Sequence, residues 1–172
     1  MDVTYRRLVP ADWAQLRDAR LAALAEAPYA FASTLDREMG FTEELWRERA
    51  GSGRTTGAWH GDAIVGMATG LPEDDKAGWH LVGMWVSPAW RGSDVARRLV
   101  AEVCALARRS DAHTMTLWVT EANDRARAFY RKLGFRPTGI RQLVRPDEPF
   151  FFEQEMALRL DHASAGSSTG RS

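Results

Sequence analysis

At 172 residues, with 23 basic and 23 acidic side chains, the chain has the length of one domain and no net charge, so no global field recruits nucleic acid or an anionic membrane. A single cysteine, Cys104, excludes an intramolecular disulfide and a multi-cysteine zinc site, and no metal is expected. No apolar run approaches the roughly 20 residues that span a bilayer, and the N-terminus lacks a signal-peptide pattern, so a cytoplasmic protein is expected.

Val3 to Val9 mixes β-branched and polar residues and reads as a first strand, stopped by Pro10. Asp12 is placed to cap a helix whose stripe is Trp13, Leu16, Leu21 and Leu24, ending before Pro28. The segment from Tyr29 to Ser33 is a loop with two aromatics, and Thr42 caps a short helix with Glu43 and Glu44 at its positive end. Gly51-Ser-Gly breaks that helix. Strands follow over Thr55 to His60 and Ala63 to Leu71, joined by Gly61-Asp62, a tight hairpin signal. A polar turn from Pro72 to Lys76 precedes a near-continuous apolar run, Trp79 to Val86. Such a run suits a central strand buried on both faces, and Gly83 inside it marks a bulge or the close approach of another backbone or ligand.

A Pro-containing turn and Arg91-Gly92 lead into a helix ending near Arg109, with Val95, Leu99, Val100 and Val103 on its apolar stripe. Cys104 falls in this pattern as a small buried filler. Thr114 to Thr120 is a strand; Asn123 opens a helix carrying Ala126, Phe129, Tyr130 and Leu133, and Gly134 stops it. Phe135 to Ile140 and Phe150 to Leu160 are the last strands, with a loop from Gln142 to Pro149. Residues 161–172 lack an apolar pattern and are expected to be a disordered tail behind one domain spanning 1–160. The element order is that of an α/β protein with a mixed sheet and helices on both faces.

The strand, the glycine-containing loop and the helix start around Arg91 form an anion-binding design, because exposed backbone N–H groups and the positive helix end converge there. Asp94 is the exception within it. It adds a Cβ and a negative charge where a phosphate would lie, although an acidic residue in a helix's first turn is itself favourable.

Three features resemble the GNAT superfamily of acetyl-CoA-dependent N-acyltransferases. The run Met84-Trp-Val-Ser-Pro-Ala-Trp-Arg-Gly-Ser-Asp-Val-Ala is similar to the family's pyrophosphate motif, with Asp94 in place of its first glycine. Asn123-Asp-Arg-Ala-Arg-Ala-Phe-Tyr-Arg-Lys-Leu-Gly-Phe is similar to its second motif. The order of elements matches from Val3 to about Leu160. The resemblance implies a single-domain, mostly antiparallel sheet of about seven strands with a splayed central pair, and acetyl-CoA entering between the strands that end near Val86 and Val119. It implies that backbone groups at Met84, Trp85 and Val86 pair with pantetheine. It further implies that Arg91, Gly92, Ser93, Asp94, Val95, Ala96 and Arg97 form the pyrophosphate loop, that Asn123 bonds the cofactor arm, and that Tyr130 faces the sulfur. With Asp94 in the loop, acetyl-CoA binding is expected to be weakened but retained.

The expected activity is N-acetyl transfer from acetyl-CoA to a primary amine of a small molecule, by direct attack in a ternary complex. The alternatives are acetylation of a protein N-terminus or lysine, and a non-catalytic acyl-CoA-binding module. Tyr130 is suited to protonating or hydrogen-bonding the departing thiolate. Relatives with a carboxylate base often carry Glu five residues before the asparagine, where this chain has Trp118. Candidate bases are therefore His80 and Glu121, beside deprotonation through ordered water. Tyr29, Phe31, Trp46 and Trp118 are candidates to line the acceptor pocket, with Trp85 and the loop around Arg141 and Arg145 close by. A monomer or a homodimer is expected.

Overall fold

A computed structural model describes residues 2–74 and 77–161. The tail expected from residue 161 onward therefore falls almost wholly outside the described residues, as do Asp75 and Lys76 of the polar turn. Seven strands form one sheet: β1 (Thr4–Arg7), β2 (Thr55–His60), β3 (Ala63–Pro72), β4 (Gly78–Val86), β5 (Thr114–Thr120), β6 (Arg136–Leu143) and β7 (Phe152–Arg159). Their order is β1-β2-β3-β4-β5-β7-β6, and every neighbouring pair is antiparallel except β4 and β5. The helices are α1 (Trp13–Glu26), α2 (Leu35–Met39), α3 (Glu43–Gly51), α4 (Val95–Arg109) and α5 (Asp124–Lys132). None of the described helices is long and apolar enough to cross a membrane.

The sheet carries a core on each face. On one face α4 buries Val95, Leu99, Val103 and Ala107, and Phe129 and Leu133 of α5 pack against the same cluster. On the other, Leu16 and Leu24 of α1 and Trp46 of α3 close over Trp59, Met67 and Trp85 of the sheet. Cys104 is buried in α4, as its place in the stripe predicts, and burial pushes its thiol up to about 11. That leaves it protonated and inert at neutral pH.

The helix starts divide into two kinds. Thr42 caps α3 as read, its hydroxyl accepting from the Leu45 amide at 3.3 Å. Asp12 occupies the cap position of α1 but makes no cap bond. Its carboxylate accepts instead from Arg6 at 2.7 and 2.9 Å and from the Val9 amide at 2.9 Å, because a charged bidentate partner is stronger than a neutral amide. Helix α2 falls between the loop expected at Tyr29 to Ser33 and the helix expected from Thr42, where no element is expected. One turn of helix started by the Thr34 side chain is too short to show a period. Strand β6 runs to Leu143 rather than Ile140, and β7 begins at Phe152 rather than Phe150. Strand β6 is an exposed edge, with no buried alternation to mark where it ends.

Candidate active site

Strands β4 and β5 lie side by side only from Gly78↔Thr114 to Leu81↔Leu117. Beyond that point β5 stays with β7, through Trp118↔Glu155 and Thr120↔Glu153. Strand β4 stays with β3, through Met67↔Trp85 and Gly66↔Val86. The two central strands therefore part. The hinge is a bulge: β3 advances two residues from Met67 to Thr69 while β4 uses three from Val82 to Trp85. One extra residue bends a strand away from its neighbour. Gly83 takes the required left-handed conformation, with φ of +61°, where another residue costs about 1–2 kcal/mol. This also corrects the expectation of a β4 buried on both faces, since Val82, Gly83 and Met84 are half-exposed toward the gap.

A cavity of about 120 Å³ fills the gap, lined by Met84, Leu117, Val119, Asn123 and Tyr130 among others. The Asn123 carbonyl oxygen caps α5 by accepting from the Ala126 amide at 3.0 Å, so its NH₂ is left for the cavity. Tyr130 is held edge-on between Phe129 and Phe135, and burial raises its phenol far above the usual tyrosine value. It stays protonated and can donate throughout the working pH range. Trp85 and Val86, expected beside Met84 along the cofactor, do not line this cavity. The Trp85 indole is buried on the α1 side and donates to Glu26 at 3.1 Å.

The loop before α4 is open to an anion. Among the described residues, the amides of Gly92, Ser93, Asp94, Ala96 and Arg97 donate to no protein acceptor, and that of Val95 makes only a long 3.4 Å bond to Ser93 Oγ. Gly92 turns the chain with φ of +77° and nothing within 4 Å of where a Cβ would stand. Asp94 is at the cap position of α4 without capping it. Both its oxygens accept from Arg97, at 2.6 Å each, and that guanidinium holds the carboxyl below its usual range. The charge that conflicts with a phosphate is thus turned back along the helix and paired. Arg91 is committed elsewhere: its Nε donates to Val86 O at 3.0 Å, and its two Nη atoms donate to Glu26 at 2.8 and 2.5 Å.

On the opposite side of Gly83 opens a second cavity of about 580 Å³. Phe31, Leu81, Val82, Gly83 and Trp118 border both cavities, so the two meet at the bulge. Phe31, Trp46 and Trp118 line the larger one, as proposed from the sequence. Tyr29 is not brought to it. It is 64% exposed and packs edge-on against Phe151, because the turn at Pro28–Ala30 points its ring outward. Glu121 is also outside both cavities. Its backbone pairs with Phe152, and its carboxylate accepts from Arg141 at 2.5 and 3.0 Å, which holds it low and acidic. Arg145 is likewise spent, on Glu148 and on the Pro28 and Phe31 carbonyls.

His80 lines the larger cavity. Its Nδ1 lies 2.7 Å from Thr116 Oγ1, and Thr116 donates its only proton to Glu73 at 2.8 Å. Thr116 can therefore only accept from the ring, so the proton of neutral His80 is on Nδ1 and the lone pair on Nε2. Burial pulls the His80 pKa below the ordinary histidine value, against an opposing pull from Glu73 and Glu155. At neutral pH the ring is a free base.

Several residues that line this cavity or stand behind His80 were not singled out in the sequence. Glu38 is 1% exposed and accepts from Arg20 at 3.0 and 2.9 Å and from Arg49 at 3.4 Å. Burial pushes its pKa up, but Arg20, Ser33 and Arg49 outweigh that and keep it low. Glu153 is raised by burial and is bonded by Gln142 at 2.8 Å. The strand period gave a usable signal for Thr116, which shares a face with Trp118 two residues on. Nothing local marks Glu73 or Glu38, whose partners are 43 and 18 residues away.

Comparison with known proteins agrees with this geometry. Residues 16–135 match the family model described as the acetyltransferase (GNAT) family. An uncharacterized N-acetyltransferase of Mycobacterium tuberculosis is 32% identical over 120 residues, covering 68% of this chain and 74% of the relative. Among solved structures, yncA of Salmonella typhimurium, determined with its cofactor acetyl-CoA, superposes with a TM-score of 0.74 at 20% identity, over 98% of this chain and 99% of that one. The ribosomal-protein-S18-alanine N-acetyltransferase of Escherichia coli does so with a TM-score of 0.68 at 16% identity, over 99% and 100% of the two chains.

Proposed function

The chain belongs to the GNAT family of acetyltransferases, and from that premise we propose that it transfers acetyl from acetyl-CoA to a primary amine of a small molecule, by direct attack with both substrates bound. The observation that carries this reading is the junction of two cavities at Gly83 and Trp118, one narrow and walled by Tyr130, the other wide and walled by His80. The residues present fit acetyl-CoA. Unpartnered loop amides from Gly92 to Arg97 suit a pyrophosphate, and the unpaired edge of β4 beyond Leu81 suits an extended pantetheine arm. When bound, acetyl-CoA supplies a thioester activated toward attack by nitrogen.

Each role then falls to a named group. His80 Nε2 accepts the amine proton. Two residues of strand separate it from Val82, about 7 Å, a span that one water closes. Amides on the free edge of β4 stabilise negative charge developing on the acyl oxygen. Tyr130 donates a hydrogen bond to the departing sulfur. Its raised pKa makes it a donor that keeps its proton rather than a strong acid. Phe31 and Trp118 shield the junction from water.

A small acceptor is favoured because the larger cavity is walled by α1, α2, α3 and the turn at Phe31. Acetylation of a protein N-terminus is the second reading, suggested by the activity in the printed name of the Escherichia coli neighbour. A CoA-release assay over small amines, amino acids and peptides separates the two. Release with small amines, reduced about tenfold or more by Tyr130→Phe with acetyl-CoA affinity kept, is the expected result. Release with peptides alone sinks the small-molecule assignment. Binding without release from any acceptor leaves an acyl-CoA-binding module.

A further inference from the structure

Four arginines line the larger cavity, and they are not equally occupied. Arg20 and Arg49 share the buried carboxylate of Glu38, and Arg20 also stacks on Phe31 with its guanidinium carbon 4.8 Å from the ring centre. Arg37 and Arg54 line the same cavity, yet among the described residues neither guanidinium has an ion pair or a hydrogen-bond acceptor. The only other carboxylate in the lining is Glu153, which is taken by Gln142. Both are exposed, so the mouth of the cavity presents two solvated guanidinium groups free to bind an anion, beside a site meant to receive an amine.

We infer that the acceptor is an amine that also carries a carboxylate, a free amino acid, whose carboxylate is held by Arg54 and Arg37 while its amine faces the bulge at Gly83. The inference rests on the acetyl transfer proposed above and names its substrate class. The sheet register supports the spacing. The Arg54 carbonyl accepts from Gly70 at 3.1 Å, and Gly70 pairs with Leu81, so Arg54 begins two strands from the junction of the cavities. That is about 10 Å between backbones, which an arginine side chain leaning inward shortens to the scale of a small zwitterion. Arg20 marks the inner end: its Nη1 lies 3.8 Å from where a Cβ at Gly83 would be.

The field also selects. A simple alkylammonium ion passing the two exposed guanidinium groups at the cavity mouth gains nothing from them. A zwitterion brings its own anion, which a planar guanidinium grips bidentately. A peptide N-terminus presents a neutral amide where the carboxylate would be, and the ε-amine of a protein lysine has no group there at all, so both forfeit the contact.

The test compares each free amino acid with its carboxamide and its decarboxylated amine, following CoA release at fixed acetyl-CoA. The acid is expected to exceed both by at least about tenfold in kcat/KM, the scale of one charge-assisted hydrogen bond. Arg54→Met and Arg37→Met should bring that ratio toward one by raising KM for the acid. Amides and plain amines turned over as well as the acids, or a ratio that survives both substitutions, overturn the inference while acetyl transfer stands. If no amine in the set releases CoA, acetyl transfer to small amines fails, and thermal shift in the presence of CoA decides the inference. A shift caused by the acid but not the amide, and lost in Arg54→Met, supports it; equal shifts or none overturn it.

Discussion

Replacing His80 by Gln and, separately, Thr116 by Val probes whether the ring is the base. The histidine is neutral at pH 7 because burial lowers its pKa, so the acid limb of kcat/KM for the native protein lies below pH of about 6.5. The sign follows from the role: a base works unprotonated, so activity is present above its pKa and lost as pH falls through it. A positioned base contributes roughly 10²–10⁴-fold, and His80→Gln should lose that much and flatten the acid limb. Thr116→Val keeps the ring but removes the 2.7 Å acceptor that fixes the Nδ1 proton. One such bond worth about 1 kcal/mol changes the tautomer ratio about fivefold, so kcat should fall by about that factor with KM for acetyl-CoA unchanged. Both are read by CoA release from pH 5 to 9 on the best amine substrate, with melting temperature confirming the fold. His80→Gln retaining kcat/KM within about twofold, with its acid limb in place, would falsify the assignment of the base.

Three further outcomes are expected. Asp94→Gly frees Arg97 from its i,i+3 pair and removes the carboxylate from the loop, so acetyl-CoA should bind a few-fold more tightly in calorimetry; weaker binding means that Asp94 holds the loop in shape. Arg20→Met leaves the 1%-exposed Glu38 carboxylate with one ion-pair partner, Arg49 at 3.4 Å, beside Ser33, at a cost of roughly 3 kcal/mol or a melting temperature lower by about 6–12 °C. A change under about 2 °C there contradicts the view that this pair is needed to bury the charge. Gly83→Ala has room, since its Cβ meets Arg20 Nη1 and Thr69 Oγ1 only at 3.8 Å, so any loss is backbone strain of about 1–2 kcal/mol. A lower melting temperature with acetyl-CoA affinity retained shows the bulge persisting under strain, lost affinity shows the gap closing, and no change in either denies the glycine its role.

Most of the frame was legible because the chain punctuates itself. Gly61-Asp62 fixed the β2–β3 hairpin, Thr42 fixed the start of α3, and the apolar stripe from Val95 fixed α4. The bulge was legible too, since a glycine inside an apolar strand has few other reasons to be there. Less legible was where charged side chains find their partners. Asp12 was given to a helix cap, yet it turned to an arginine. Arg91 was given to phosphate and is held by Glu26, 65 residues earlier in the chain. Glu121 was offered as a base and is bound to Arg141, 20 residues later. Local propensity cannot rank these partners, because the competing guanidinium comes from a different element and only the fold sets its distance.

That competition also divides the charges between the two ends of the site. At the loop before α4, the acidic side chains within reach each have an arginine: Asp94 has Arg97, and Glu26 has Arg91. The loop amides are thus left to act on an anion without an opposing field. In the acceptor cavity the balance runs the other way. There Glu38 takes up two arginines and leaves Arg37 and Arg54 unmatched. Between the two ends, at Gly83 and Trp118, the groups that would move protons are uncharged at neutral pH: His80 lowered by burial, Tyr130 raised by it. Proton-moving groups that are themselves neutral, set between two anion-attracting ends, suit a reaction that joins a neutral amine to a neutral thioester. The charged parts of both substrates anchor them, and the Arg20 guanidinium that reaches the junction beside Gly83 is already paired with Glu38.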